Sequence, residues 1–165
     1  MSGSKSAEIA FSAVSSSVTN YIVLSGSTTH YYSAGETISI TLINNTGSTF
    51  TLSGHTSENH ISIERLSQAS LISATETVAL TATKNATQNI TTGTDTTVVY
   101  QNVITDTHGA YNSSSGIFTV PVSGVYQISA NFNYTGITTG STAIFMTLFR
   151  NGGYSIRLCA NGVPT

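Results

Sequence analysis

Charge is the first thing this sequence lacks. Of its 165 residues, five are Lys or Arg and seven are Asp or Glu, for a formal net charge of −2. A phosphate-rich partner needs a basic face, so the balance argues against a nucleic-acid or polyanion binder. Cysteine occurs once, at Cys159, which excludes an intrachain disulfide. Nothing near it in sequence offers a partner base, so it reads as a small buried hydrophobe, not a nucleophile. The two prolines are Pro121, at a strand end, and Pro164, near the C-terminus; neither has to interrupt a central strand. No apolar run approaches the roughly 20 residues of a membrane span, which argues against membrane insertion. The polar opening MSGSKSAE does not read as a secretory signal. Helical periodicity is nearly missing. Only Ala7–Val14 (AEIAFSAV) fits a turn or two of helix, and it reads equally well as a strand.

What the chain has instead is hydroxyls and alternation. It carries 25 Ser and 28 Thr, and with so few charges its solubility rests on hydroxyls and amides. Thr, Val and Ile at this density favour sheet over helix. Period-two patterns run through Thr37–Ile43, His60–Leu66, Thr77–Thr83 and Val122–Tyr134. In the last of these, Tyr126, Ile128, Ala130, Phe132 and Tyr134 share one face. Ala143–Arg150 (AIFMTLFR) is apolar on both faces and is expected to be a central strand. Turn signals separate the runs: Ser25-Gly26-Ser27, Ser33-Ala34-Gly35-Glu36, Asn44-Asn45-Thr46-Gly47, Ser53-Gly54, Ser123-Gly124, Thr139-Gly140 and Asn151-Gly152-Gly153. Short strands at this spacing predict an all-β sandwich or barrel. Ser67–Glu76 reads as a linker and Lys84–Thr97 as a polar connection or edge element. The expected core is Phe118, Val120, Tyr126, Ile128, Phe132, Ile144, Met146, Leu148, Ile38, Ile40, Leu42, Ile61 and Ile63. Gly124 is expected to permit the turn between the two core strands, and Tyr126 to bury its ring while its hydroxyl finds a polar partner.

Four segments carry a family pattern. Gly116, Phe118, Pro121, Gly124 and Tyr126 stand in the spacing G-x-F-x-x-P-x-x-G-x-Y. Tyr100–Tyr111, with Asp106-Thr107-His108-Gly109, precedes them as a strand and loop. Ser33–Ile40 and Asn59–Leu66 supply two further strands. Together these resemble the C1q/TNF-like jelly roll, in a form common among bacterial and phage members. The order departs from the family's, because the Phe-Pro-Gly-Tyr core here follows the Ala-Gly-Glu strand. Residues 1–66 thus resemble the back half of such a domain and residues 77–165 the front half. Residues 67–76 would join them into one jelly-roll domain. Either a circular permutant or an excerpt across two tandem repeats fits this order. The resemblance implies a homotrimer with a structural or receptor-binding role in a phage or virion fibre or a bacterial surface assembly. Its setting would be extracellular or virion-associated, and its ligand a glycan or cell-surface receptor. Strand exchange between neighbouring chains, giving filaments or shells, is the alternative; a carbohydrate-binding jelly roll is another.

Chemistry is thinly represented. His30, His55, His60 and His108 are scattered, without HxH, HExxH or CxxC spacing, so no zinc site is expected. Asp106 suits turn capping better than metal ligation. Calcium occurs in the family, but Glu36, Glu58, Asp95 and Asp106 do not form a dense acidic loop. No carboxylate pair or phosphate loop points to catalysis, so neither an enzyme nor a cofactor is expected. Tyr31, Tyr32, Tyr111 and Tyr154, with Tyr21, are read as lying in or beside loops and as candidate contact residues. Sequons at Asn44, Asn85, Asn89, Asn112 and Asn133 are chance products of a Ser- and Thr-rich chain.

Overall fold

A computed structural model describes residues 22–66, 77–135 and 144–161. Every regular element in them is a strand. In chain order they are β1 (Ile22–Tyr32), β2 (Thr37–Asn44), β3 (Phe50–Leu52), β4 (His60–Leu66), β5 (Ala79–Thr83), β6 (Gln88–Ile90), β7 (Asp95–Thr97), β8 (Asn102–Asp106), β9 (Tyr111–Asn112), β10 (Ile117–Thr119), β11 (Gly124–Thr135), β12 (Ile144–Arg150) and β13 (Gly153–Asn161).

They form two antiparallel sheets packed as a jelly-roll sandwich. The seven-stranded sheet is centred on β11. On one side β1 pairs with it from Ile22 opposite Tyr134 to Tyr32 opposite Gly124. On the other side β4 takes Val125–Asn131 and β3 takes Tyr134 and Thr135. β5 and then β8 continue beyond β4, and β6 lies beyond β3. The six-stranded sheet runs β13-β12-β2-β10-β9, with β7 also on β2. Residues 67–76 lie between two paired neighbours, since β4 and β5 align from His60 opposite Thr83 to Glu64 opposite Ala79.

The alternation read from the sequence is what closes this sandwich. All thirteen expected core residues are buried, joined by Tyr32, Phe50, Tyr100 and Tyr134. Each large apolar side chain removed from water contributes about 1.5–3 kcal/mol before chain entropy is set against it. β12 is central, as its two-sided apolar pattern predicts, with β13 on one flank and β2 on the other. The loop between β12 and β13 uses Asn151 at φ 51° and Gly152 at φ 75°. Positive φ at both positions is what a two-residue hairpin of this hand requires.

One expected turn is corrected. Ser25-Gly26-Ser27 is not a turn; it lies in the middle of β1. A Cβ at Gly26 would sit 2.8 Å from the Leu158 carbonyl oxygen, so the glycine there lets β1 pass close to β13. Lys84–Thr97, expected as a polar connection or edge element, contributes the edge strands β6 and β7, and it also buries Lys84 completely. The AEIAFSAV segment, Tyr21, the Ser67–Glu76 linker, the Thr139-Gly140 turn and Pro164 lie outside the described residues.

Candidate interaction surfaces

The five motif residues form one structural knot. Gly116 sits at φ 74°, and a Cβ there would lie 2.5 Å from the Val98 carbonyl oxygen. Both facts demand glycine. Phe118 and Tyr126 are buried and meet edge-on, with ring centroids 6.3 Å apart. The Tyr126 hydroxyl donates to the Val122 carbonyl at 2.6 Å, which supplies the polar partner its burial requires. Pro121, half-buried, lies between Val120 and Val122 in the bend that leads into β11. Gly124 has a different reason from the one expected: its φ is not positive. An added Cβ would instead meet Arg65 Nε at 2.5 Å.

The four candidate tyrosines separate into two pairs. Tyr31 and Tyr154 are exposed, at 55% and 58%, while Tyr32 and Tyr111 are buried. All four belong to strands, not loops. Tyr32 and Tyr111 therefore serve packing: alternation that sends Tyr31 outward sends Tyr32 into the core. Burial pushes both hydroxyls up to about 12. Tyr111 holds the backbone by accepting from the Tyr100 amide at 3.0 Å.

Long-range polar contacts were not visible in the sequence. Arg150, beside the β12–β13 turn, grips both carboxylate oxygens of Glu36, with Nε at 2.9 Å. Its guanidinium also lies 5.2 Å from the Tyr32 ring centroid and 3.4 Å from His30 Nε2. The Ser33 amide and the Arg150 side chain hold the Glu36 carboxyl below its ordinary range. The two residues are 114 positions apart, so no local spacing signals the pair. Lys84 is fully buried and donates to Gln88 Oε1 at 3.1 Å and the Val99 carbonyl at 2.9 Å. Desolvation lowers it to about 8. Cys159 is buried and unpaired with another cysteine, and burial pushes its thiol up to about 11.

The acids are engaged in structure. Asp106 accepts from the amides of His108, Ala110 and Tyr111 at 3.3, 3.1 and 2.9 Å, so it caps the turn. Glu58 accepts from the Ser53 hydroxyl at 2.6 Å, Glu36 holds Arg150, and Asp95 is exposed on β7. Among the described residues no three His, Cys, Asp or Glu side chains stand close enough to hold a metal ion.

Surfaces carry what remains. The outer face of the seven-stranded sheet is mostly polar. Across it run the rows Ser27–Ser129–Ser62 and Thr29–Gln127–Glu64, and a shallow hollow is lined by Ser62, Glu64, Gln127 and Ser129. One row differs: Tyr31, Val125 and Leu66 stand side by side on β1, β11 and β4. Tyr31 and Leu66 are 55% and 40% exposed.

Two antiparallel sheets closed over one buried apolar core define a jelly-roll β-sandwich. Its family is the C1q domain: the C1q-domain family model matches residues 79–164, from the start of β5 past the end of β13, and the chain belongs to that family. C1q domains are trimeric, typically non-enzymatic modules of recognition and structure, and the proteins that carry them are typically secreted or extracellular. No curated protein and no solved structure matches this chain.

Proposed function

We propose that this chain is a homotrimeric, non-enzymatic structural and receptor-binding module of a phage or virion fibre or a bacterial surface assembly. The observation that carries this is the apolar row Tyr31–Val125–Leu66 on a mostly polar face, in a family of trimeric modules. Apolar side chains aligned across three neighbouring strands are relieved of water when copies of the face meet around an axis. The strand order is that of a permuted domain. Residues 1–66 act as its back half and 77–165 as its front half, joined through 67–76. Two facts support this: the family match starts at β5, and strands from the two segments pair with one another within each sheet.

Light scattering behind size exclusion, over a hundredfold range of concentration, tests the assembly. The expected mass is three chains throughout, falling to one chain in Val125→Asp. A wild-type monomer at every concentration overturns the trimer. A mass that climbs with concentration supports strand exchange instead. One observation favours that second reading. Among the described residues, β1 and β13 each pair on one side only, leaving edges of 11 and 9 residues without a proline or a lysine.

A further inference from the structure

The outer face of the six-stranded sheet carries side chains that the trimer contact does not use. Along β12, Phe145, Thr147 and Phe149 alternate with the core residues Ile144, Met146 and Leu148, so they point away from the core. Opposite them on β13 stand Ala160, Arg157 and Tyr154, and on β2 stand Ile43, Thr41 and Ser39. Two aromatic platforms result. Arg157 lays its guanidinium over Phe145, with the central carbon 3.8 Å from the ring centroid. Phe149 and the exposed Tyr154 meet edge-on at 6.4 Å. Phe145 and Phe149 are four residue steps apart along the strand, a distance of about 13 Å.

Two features of this face lack partners. Thr41 and Thr147 lie side by side between the platforms, buried, and neither hydroxyl has a hydrogen-bond partner among the described residues. Buried hydroxyls ordinarily find one. Arg157 is exposed and, among the described residues, pairs with no carboxylate, whereas Arg150 is clamped on Glu36. A guanidinium already stacked and oriented on a ring is a ready fork for a carboxylate.

We infer that this face binds an acidic saccharide, a glycan bearing a single carboxylate such as a sialic or uronic acid. The inference rests on the reading of the chain as a recognition module. Phe149 and the exposed Tyr154 offer ring surface to the apolar side of a sugar ring, and their distance from Phe145, whose ring carries Arg157, suits a short oligosaccharide. Arg157 takes the carboxylate. Its flat face stays on Phe145, and its outward N–H groups make the contact. One arginine on a weakly charged face fits one carboxylate and does not fit a nucleic acid or a polysulfate, which needs a basic field.

Calorimetric titration of the full chain with 3′-sialyllactose and with an aldotriouronic acid, a xylose oligosaccharide bearing one glucuronate, tests this, with lactose and xylotriose as neutral controls. The two acidic probes separate an animal-type from a plant- or bacterial-type glycan source. At least one acidic probe should bind tenfold or more tightly than the controls, and less tightly as salt rises. Arg157→Ala and Phe145→Ala should each weaken it tenfold or more, with Arg157→Lys between wild type and Arg157→Ala. Both positions lie outside the core, and unchanged melting midpoints confirm that the variants fold. No binding of either acidic probe, equal binding of neutral sugars, or unchanged affinity in Arg157→Ala overturns the inference. Light scattering on the same samples keeps it apart from the assembly. A trimer that ignores both acidic sugars sinks only this site, and a monomer that binds one sinks only the trimer.

Discussion

Lys84 is a cation held far from its ordinary chemistry. It is buried without a carboxylate, held by an amide oxygen and a backbone carbonyl, and its folded value is about 8 against an ordinary 10.5. Between those two values the unfolded chain binds more protons than the folded one, so stability rises with pH. Cys159 opposes it from pH 9, because its thiol is raised from 9.0 to about 11 and the folded state keeps the proton. Tyr32 and Tyr111, raised from 10.0 to about 12, oppose it from pH 10. The expected profile therefore rises from pH 8 to 9, levels, and falls above 10. Urea midpoints measured at half-unit steps check it, and Lys84→Met should abolish the rise while leaving the fall. A rise that survives Lys84→Met would assign it elsewhere. The sequence marks Lys84 only as one polar residue in a polar stretch. Its burial depends on Gln88 and Val99 folding back over it, which no local pattern encodes.

Elements meet closely at two glycines that look alike in sequence and differ in structure. Gly26, in β1, faces the Leu158 backbone, whereas Gly124, at the start of β11, faces the Arg65 side chain. A methyl group at Gly26 has to push a strand. At Gly124 it only displaces a flexible arginine, at the cost of the Arg65–Ser123 hydrogen bond of 3.2 Å. Gly26→Ala should thus cost about 1–3 kcal/mol as an overpacked contact, and Gly124→Ala roughly 1 kcal/mol or less. Denaturant unfolding of the two variants side by side measures the difference, and equal losses would refute the account of Gly26. Both glycines sit in Ser-Gly pairs that resemble turns. The hairpin at Asn151-Gly152 was legible because its φ demands are local. Gly26 was not, because its constraint comes from β13, more than a hundred residues away.

At the scale of the whole molecule, β4 and β5 are adjacent across residues 67–76, and β1 passes beside β13. A chain that begins at Thr77, runs through 165 into Met1 and ends at Leu66 should then fold to the same sandwich. Its melting midpoint is expected within a few degrees of the parent's and its number of chains per particle unchanged, since closure entropy varies slowly with loop length. Loss of cooperative unfolding in that rearranged chain would contradict the permuted-domain reading and favour completion of the sandwich by a neighbouring chain. The apolar row that carries the trimer reading belongs to this scale too. Tyr31, Val125 and Leu66 come from three separate segments, and only strand register aligns them.

The sequence by itself determined the class of fold, the two-faced strands and the core, because period-two alternation and turn chemistry act within a few residues. It also determined the motif of Gly116, Phe118, Pro121, Gly124 and Tyr126, and the capping by Asp106. Only the tertiary structure decided which tyrosines are exposed, why Gly26 is small, and that Glu36 finds Arg150. It alone set Phe145, Arg157, Phe149 and Tyr154 on one face around two unpartnered threonines. Those outcomes depend on which strands become neighbours and in what register, and pairing between distant segments leaves no periodic trace in either one.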